Sequence, residues 1–121
     1  LYEMAAKRGD ATAQSNLAIA YKHGWLGVTQ SSTRAIEYYT LAANQGHATA
    51  QSKLGNMYYF GNGVETLYSK AREWWTKAAA QGNELAIQNL KILDEMERRK
   101  KNGQNVKEDT NKTDGFTNNL K

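Results

Sequence analysis

Few side chains in this 121-residue chain could do chemistry, and their spacing speaks against most of it. His23 and His47 are the only histidines, there is no cysteine to join them, and they do not stand four residues apart on one helix. A metal centre needs three or four convergent ligands, so neither a metal nor a cofactor is expected. Asp94, Glu95 and Glu97 could mimic an acid–base pair, but Arg98 and Arg99 lie beside them, where i, i+4 charge pairs on a solvated helix are the ordinary role. No Ser-His-Asp arrangement is visible, and no enzyme is expected. The glycine turns at Gly24 and Gly27 and at Gly61 and Gly63 invite a phosphate-cradle reading. Neither carries the Lys-Ser/Thr pair or third glycine that such loops place at fixed spacing. Trp74 and Trp75, with Tyr38 and Tyr39, could stack on bases or sugars, yet their repetition in helical register reads as core and hairpin interface. Arg98-Arg99-Lys100-Lys101 could meet acidic lipid, nucleic acid or an acidic partner, or simply end a helix in accord with its dipole. Asn111-Lys112-Thr113 is a glycosylation triplet of a kind that arises by chance in an Asn- and Thr-rich segment.

The elements that would position these residues are helices. A composition of 40% hydrophobic and 23% charged residues is a globular balance. Proline, which removes a helical hydrogen bond and clashes with the preceding turn, is absent. No apolar run approaches the roughly 18 residues of a membrane span. The net charge of +4 is spread evenly, eight basic and six acidic residues falling in 1–90 and the same numbers in 91–121. Nucleic-acid binding needs a concentrated positive face to release phosphate counterions, and that spread argues against it.

The chain repeats itself. A displacement of 37 puts Ala13 on Ala50, Leu17 on Leu54, Tyr21 on Tyr58 and Gly24 on Gly61. A displacement of 36 puts Tyr38 on Trp74, Tyr39 on Trp75, Ala42 on Ala78 and Gly46 on Gly82. The one-residue difference falls in the glycine turn, where insertions are tolerated. Each unit reads as a helical hairpin: helices near 11–23 and from Ser31 or Ser32 to about Gln45, then near 48–60 and 68–81. Asp10 is a plausible N-cap for the first; Leu67 is a poor one for the last, so Thr66 or Ser69 is expected to serve. Residues 1–9 match the end of a second helix, so the stretch begins inside a repeat and further repeats are expected before it. A final helix, 84–100, keeps Ile87, Leu90, Leu93 and Met96 on one stripe and charges opposite, which suits the end of a stack. Residues 101–121 form a polar tail with too little apolar surface to offset its ordering entropy, to be ordered, if at all, by a partner or by the groove.

The pattern LG-x-x-Y-x-x-G-x-GV followed by KA-x-x-WW-x-KAA-x-QG resembles the Sel1-like repeats, relatives of the tetratricopeptide repeats. The resemblance covers residues 1 to about 93. A tetratricopeptide reading would require 34 residues per unit and a proline near the end of the second helix, neither of which is met. Ala18 in place of the glycine at Gly55, Leu67 at a usually polar position and Arg34 opposite Lys70 are departures. The resemblance implies an all-α, right-handed α/α solenoid of about two and a half repeats plus a capping helix, with scaffold or adaptor roles and no shared catalytic activity. In it Leu17, Tyr21, Gly24, Leu54, Tyr58, Gly61, Gly63, Trp74, Trp75, Ala78 and Gly82 are architecture.

In the related folds the stripe of first helices that does not pack within the hairpin lines a concave groove. By register it would hold Thr12, Ser15, Ile19 and Lys22; Thr49, Ser52, Asn56 and Tyr59; and Gln88, Ile92 and Glu95, a polar line with a tyrosine anchor suited to an extended protein segment. The expected function is a noncatalytic protein–protein interaction scaffold. The alternative is a structural subunit of a larger assembly, anchored through its C-terminal helix and tail.

Overall fold

The computed structural model describes residues 2–103, which form six helices and no strand: α1 Tyr2–Lys7, α2 Ala11–His23, α3 Ser32–Asn44, α4 Ala48–Phe60, α5 Tyr68–Ala80 and α6 Glu84–Lys101. The expectations for the polar tail beyond Gly103, its glycosylation triplet included, lie outside the described residues. Helices α2 and α3 form one hairpin and α4 and α5 the next, with α3 against α4 joining them and α1 and α6 packed on either end. This is an all-α solenoid.

Its punctuation recurs at the repeat interval. Asp10, His47 and Asn83 each accept a hydrogen bond from the backbone N–H three residues on, at 2.8, 3.2 and 2.9 Å, and so cap the first helix of their unit. His47 therefore has a local structural role. Gly24 and Gly61 end α2 and α4 in the left-handed region, φ 73° and 72°, where a Cβ is disfavoured. In the longer first turn Leu26 must share that conformation, φ 57°, and is exposed. Ser31 caps α3, accepting from the N–H of Arg34 at 3.1 Å. Contrary to expectation neither Thr66 nor Ser69 caps α5: Leu67 holds that position with no side-chain hydrogen bond.

The core lies between successive helices. Leu17, Ala18, Ala35, Tyr39 and Ala42 are buried in the first hairpin, and Leu54, Met57, Ala71, Trp74, Trp75 and Ala78 in the second. A polar ladder runs through the same interior. The amides of Gln14 and Gln51 donate to the carbonyls of Ala6 and Ala43, and accept from Gln45 and Gln81 at 2.8 and 3.0 Å. Each glutamine thus ties its helix to the helix before it and the helix after it, which fixes the stagger of the stack. In α6 the ladder position is Ile87, and the ladder ends.

The last interface uses charge instead. Arg72 of α5 forks onto Asp94 and Glu97 of α6 at 2.5 and 2.6 Å, and Asp94 occupies the register of Tyr58. The hydrogen bond to Asp94, supported by both carboxylates' charge, raises the guanidinium pKa against the opposing effect of its partial burial. Glu95 pairs with Arg99 one turn on at 2.7 Å.

Candidate functional site

The eleven residues expected to line the groove do not share one environment. Thr12, Thr49, Gln88 and Glu95 are exposed; Ile19, Lys22, Tyr59 and Ile92 are half-buried; Ser15, Ser52 and Asn56 are buried, at 3%, 3% and 5% exposure. For Ser52 and Asn56 the reason lies in a ring of α5. The indole Nε1–H of Trp75 donates to the Ser52 carbonyl at 3.1 Å and to Asn56 Oδ1 at 3.0 Å. Tyr59 lies 5.7 Å from the Trp75 ring and 5.1 Å from that of Tyr68. The line Ser52, Asn56, Tyr59 therefore faces α5 and packs inside its own hairpin, which corrects its placement as a free surface. A polar residue there serves the indole, because a buried N–H without an acceptor is costly.

What α2 and α4 leave to solvent is a neighbouring line: Thr12 and Asn16, ending at His23, and Thr49 and Lys53, ending at Phe60, while Ile19 packs against the core in the register of Asn56. Positions advance by 4 and then 7 residues in both sets, so each is one helical stripe. Its charge is one-sided. Neither helix contains an acidic residue, and Lys22 and Lys53 form no ion pair among the described residues. Partial burial, and then the nearby Lys53 ammonium, push the Lys22 pKa below its ordinary value.

The remaining candidates fall into structure. His23 stacks on Trp25 with ring centroids 4.5 Å apart. Among the described residues no three His, Asp or Glu side chains gather where they could hold a metal ion, and no helix is long and apolar enough to cross a membrane. Trp74 and Trp75 are buried in adjoining clusters, and Tyr38 stacks on Tyr21 at 5.7 Å. Residue type alone does not mark Gln14 and Gln51 as interior, although the displacement of 37 superposes them.

The Sel1 repeat profile matches residues 1–10, 11–47 and 48–83. The chain belongs to the Sel1 repeat family. It is 41% identical to a Sel1 repeat protein from Oxalobacter formigenes whose crystal structure superposes with a TM-score of 0.73, over 75% of this chain and 68% of that one. It is 40% identical, TM-score 0.68, to a protective antigen present in uropathogenic Escherichia coli strains and displaying an SLR fold, over 70% of this chain and 18% of that one. No curated relative matches. Sel1 repeat proteins generally act as protein–protein interaction scaffolds.

Proposed function

We propose that this Sel1 repeat stretch is a noncatalytic scaffold that holds a segment of a partner protein along the solvent-facing stripe of its first helices, with Asn16, Thr49 and Lys53 at its centre. The observation that carries this reading is that the stripe recurs in register on α2 and α4, with hydroxyls at Thr12 and Thr49, polar side chains at Asn16 and Lys53, aromatic rings at His23 and Phe60, and no carboxylate on either helix. An extended segment crossing both helices would meet hydrogen-bonding groups at regular intervals and an unneutralised positive charge in the middle.

The test is co-precipitation from the source cell by the intact protein and by two folded variants. Asn16→Asp with Lys53→Glu should abolish recovery of a partner that the parent protein recovers. Thr33→Asp with Glu37→Lys, exposed on α3, should leave recovery unchanged. Equal recovery by all three would move the binding surface off the stripe.

A further inference from the structure

At the far end of the stack Tyr59 of α4, Tyr68 of α5, and Leu93 and Met96 of α6 wall a cleft of about 330 Å³, with Glu97 and Lys100 also lining it. The repeat explains why it is open. Between the two hairpins the corresponding place is filled: the turn after α4 lies on Ser32, the first residue of α3, so closely that a Cβ on Gly63 would sit 2.7 Å from Ser32 Cβ. Tyr68 holds the register of Ser32. But α6 continues as helix through Glu97, the register of Gly61, as far as Lys101, so among the described residues no glycine turn folds back over Tyr68. Tyr68 is 56% exposed, and Tyr59 and Met96 are half-buried.

The charge around this apolar floor is positive. Asp94 and Glu97 are held by Arg72 and Glu95 by Arg99, whereas Arg98, Lys100 and Lys101, in the last turn of α6, form no ion pair among the described residues.

We propose that this cleft is a second binding site, taking a short segment of a partner protein in which a bulky apolar residue is flanked by acidic ones. The apolar side chain enters between Tyr59, Tyr68 and Met96, and the carboxylates face Lys100 and its cationic neighbours. The volume suits one or two large side chains, and the flexible thioether of Met96 lets the floor adapt to an aromatic or an aliphatic anchor. A membrane surface would also answer to apolar and basic groups, but it is met by protruding side chains, and here Tyr59 and Met96 are half-buried and Leu93 is buried, with Tyr68 as the exposed wall.

Fluorescence anisotropy on the full chain with a labelled peptide EEDEFEEDE tests the proposal. That peptide should bind about tenfold or more tightly than the same peptide with alanine at its centre, the worth of one buried large side chain, and more tightly than KKRKFKKRK. Met96→Asp and Tyr68→Ala should each weaken binding about fivefold or more, and Lys100→Glu should weaken it and flatten its salt dependence. Helical circular dichroism checks the fold of each variant, and the exposed Tyr68 supplies the decision if Met96→Asp does not fold. Equal binding of the phenylalanine and alanine peptides, or indifference to Tyr68→Ala, overturns the proposal. So does competition by phosphatidylserine vesicles that bind more tightly than the peptide with the same dependence on these variants.

Discussion

The two hairpins meet the same packing problem with different residues. In the second, Gly55, Asn56 and Trp75 form a set: a Cβ on Gly55 would lie 2.4 Å from the indole Cδ1, and Asn56 accepts from the indole N–H. At the same three register positions the first hairpin has Ala18, Ile19 and Tyr39. The smaller phenol ring leaves room for a methyl group on the facing helix, and it brings no indole N–H to be satisfied, so an apolar side chain stands where the amide does. The two repeats of this chain thus vary this contact in concert. One triplet is large ring, no Cβ and acceptor; the other is smaller ring, methyl and apolar neighbour.

The most damaging way to break the comparison is to remove the larger ring. Trp75→Ala, at a site with 0% exposure, should cost about 3–5 kcal/mol, a large fraction of the roughly 5–15 kcal/mol that holds a small domain folded. Urea denaturation followed by circular dichroism measures it, and a midpoint close to that of the parent protein would refute the core assignment.

Next in size is a difference in pH response. Burial raises the Tyr39 phenol from an ordinary pKa near 10 to about 12, while Trp75 has no proton to lose in this range. The folded state holds the phenolic proton more tightly than the unfolded one. The associated stability is therefore whole below pH 10 and lost as pH climbs from about 10 to about 12, amounting to about 3 kcal/mol. Tyr39→Phe should remove that part of the alkaline decline, as read from urea midpoints at pH 8 and pH 11.5. Identical declines in parent and variant would assign the effect to other groups.

Gly55→Ala tests the coupling itself. Alanine would gain up to about 1 kcal/mol of helix propensity, but its methyl would fall on a ring held by two hydrogen bonds, so a net loss of about 1–3 kcal/mol is expected. Adding Trp75→Tyr and Asn56→Ile, which rebuilds the first triplet in the second hairpin, should recover much of it. Thermal melts of the single and triple variants supply the cycle, and additive losses would show that the triplets are not units.

How much of this is legible in the sequence differs between backbone and face. The displacements of 37 and 36, with glycines at Gly24 and Gly61 and capping residues at Asp10 and Ser31, place the helices of both hairpins to within a residue, because caps and left-handed glycines are local signals. The face each helix turns to its neighbours is not local. Ala13, Ala18 and Ala20 blur the apolar stripe of α2, while Gln14, Ser15, Gln51 and Ser52 are polar yet buried, so polarity does not mark the surface. Asn56 read as free for that reason. The fork of Arg72 onto Asp94 and Glu97 joins residues 22 and 25 apart, a distance at which spacing carries no signal.

Asn56 gives the smallest predicted effect and the finest test of the comparison. Asn56→Ile copies the first hairpin at one position only and leaves the indole N–H with the Ser52 carbonyl as its remaining acceptor, at 3.1 Å. Because one partner survives, the cost should be that of a single net hydrogen bond, about 0.5–1.5 kcal/mol, partly offset by the gain of an apolar side chain in a buried site. Followed by Trp75→Tyr in the same background, the further change should be smaller than Trp75→Tyr alone, since the tyrosine no longer asks for the amide. A coupling near zero in that double-mutant cycle would mean that Asn56 is retained for a reason other than the indole, and would return it to the search for a binding surface.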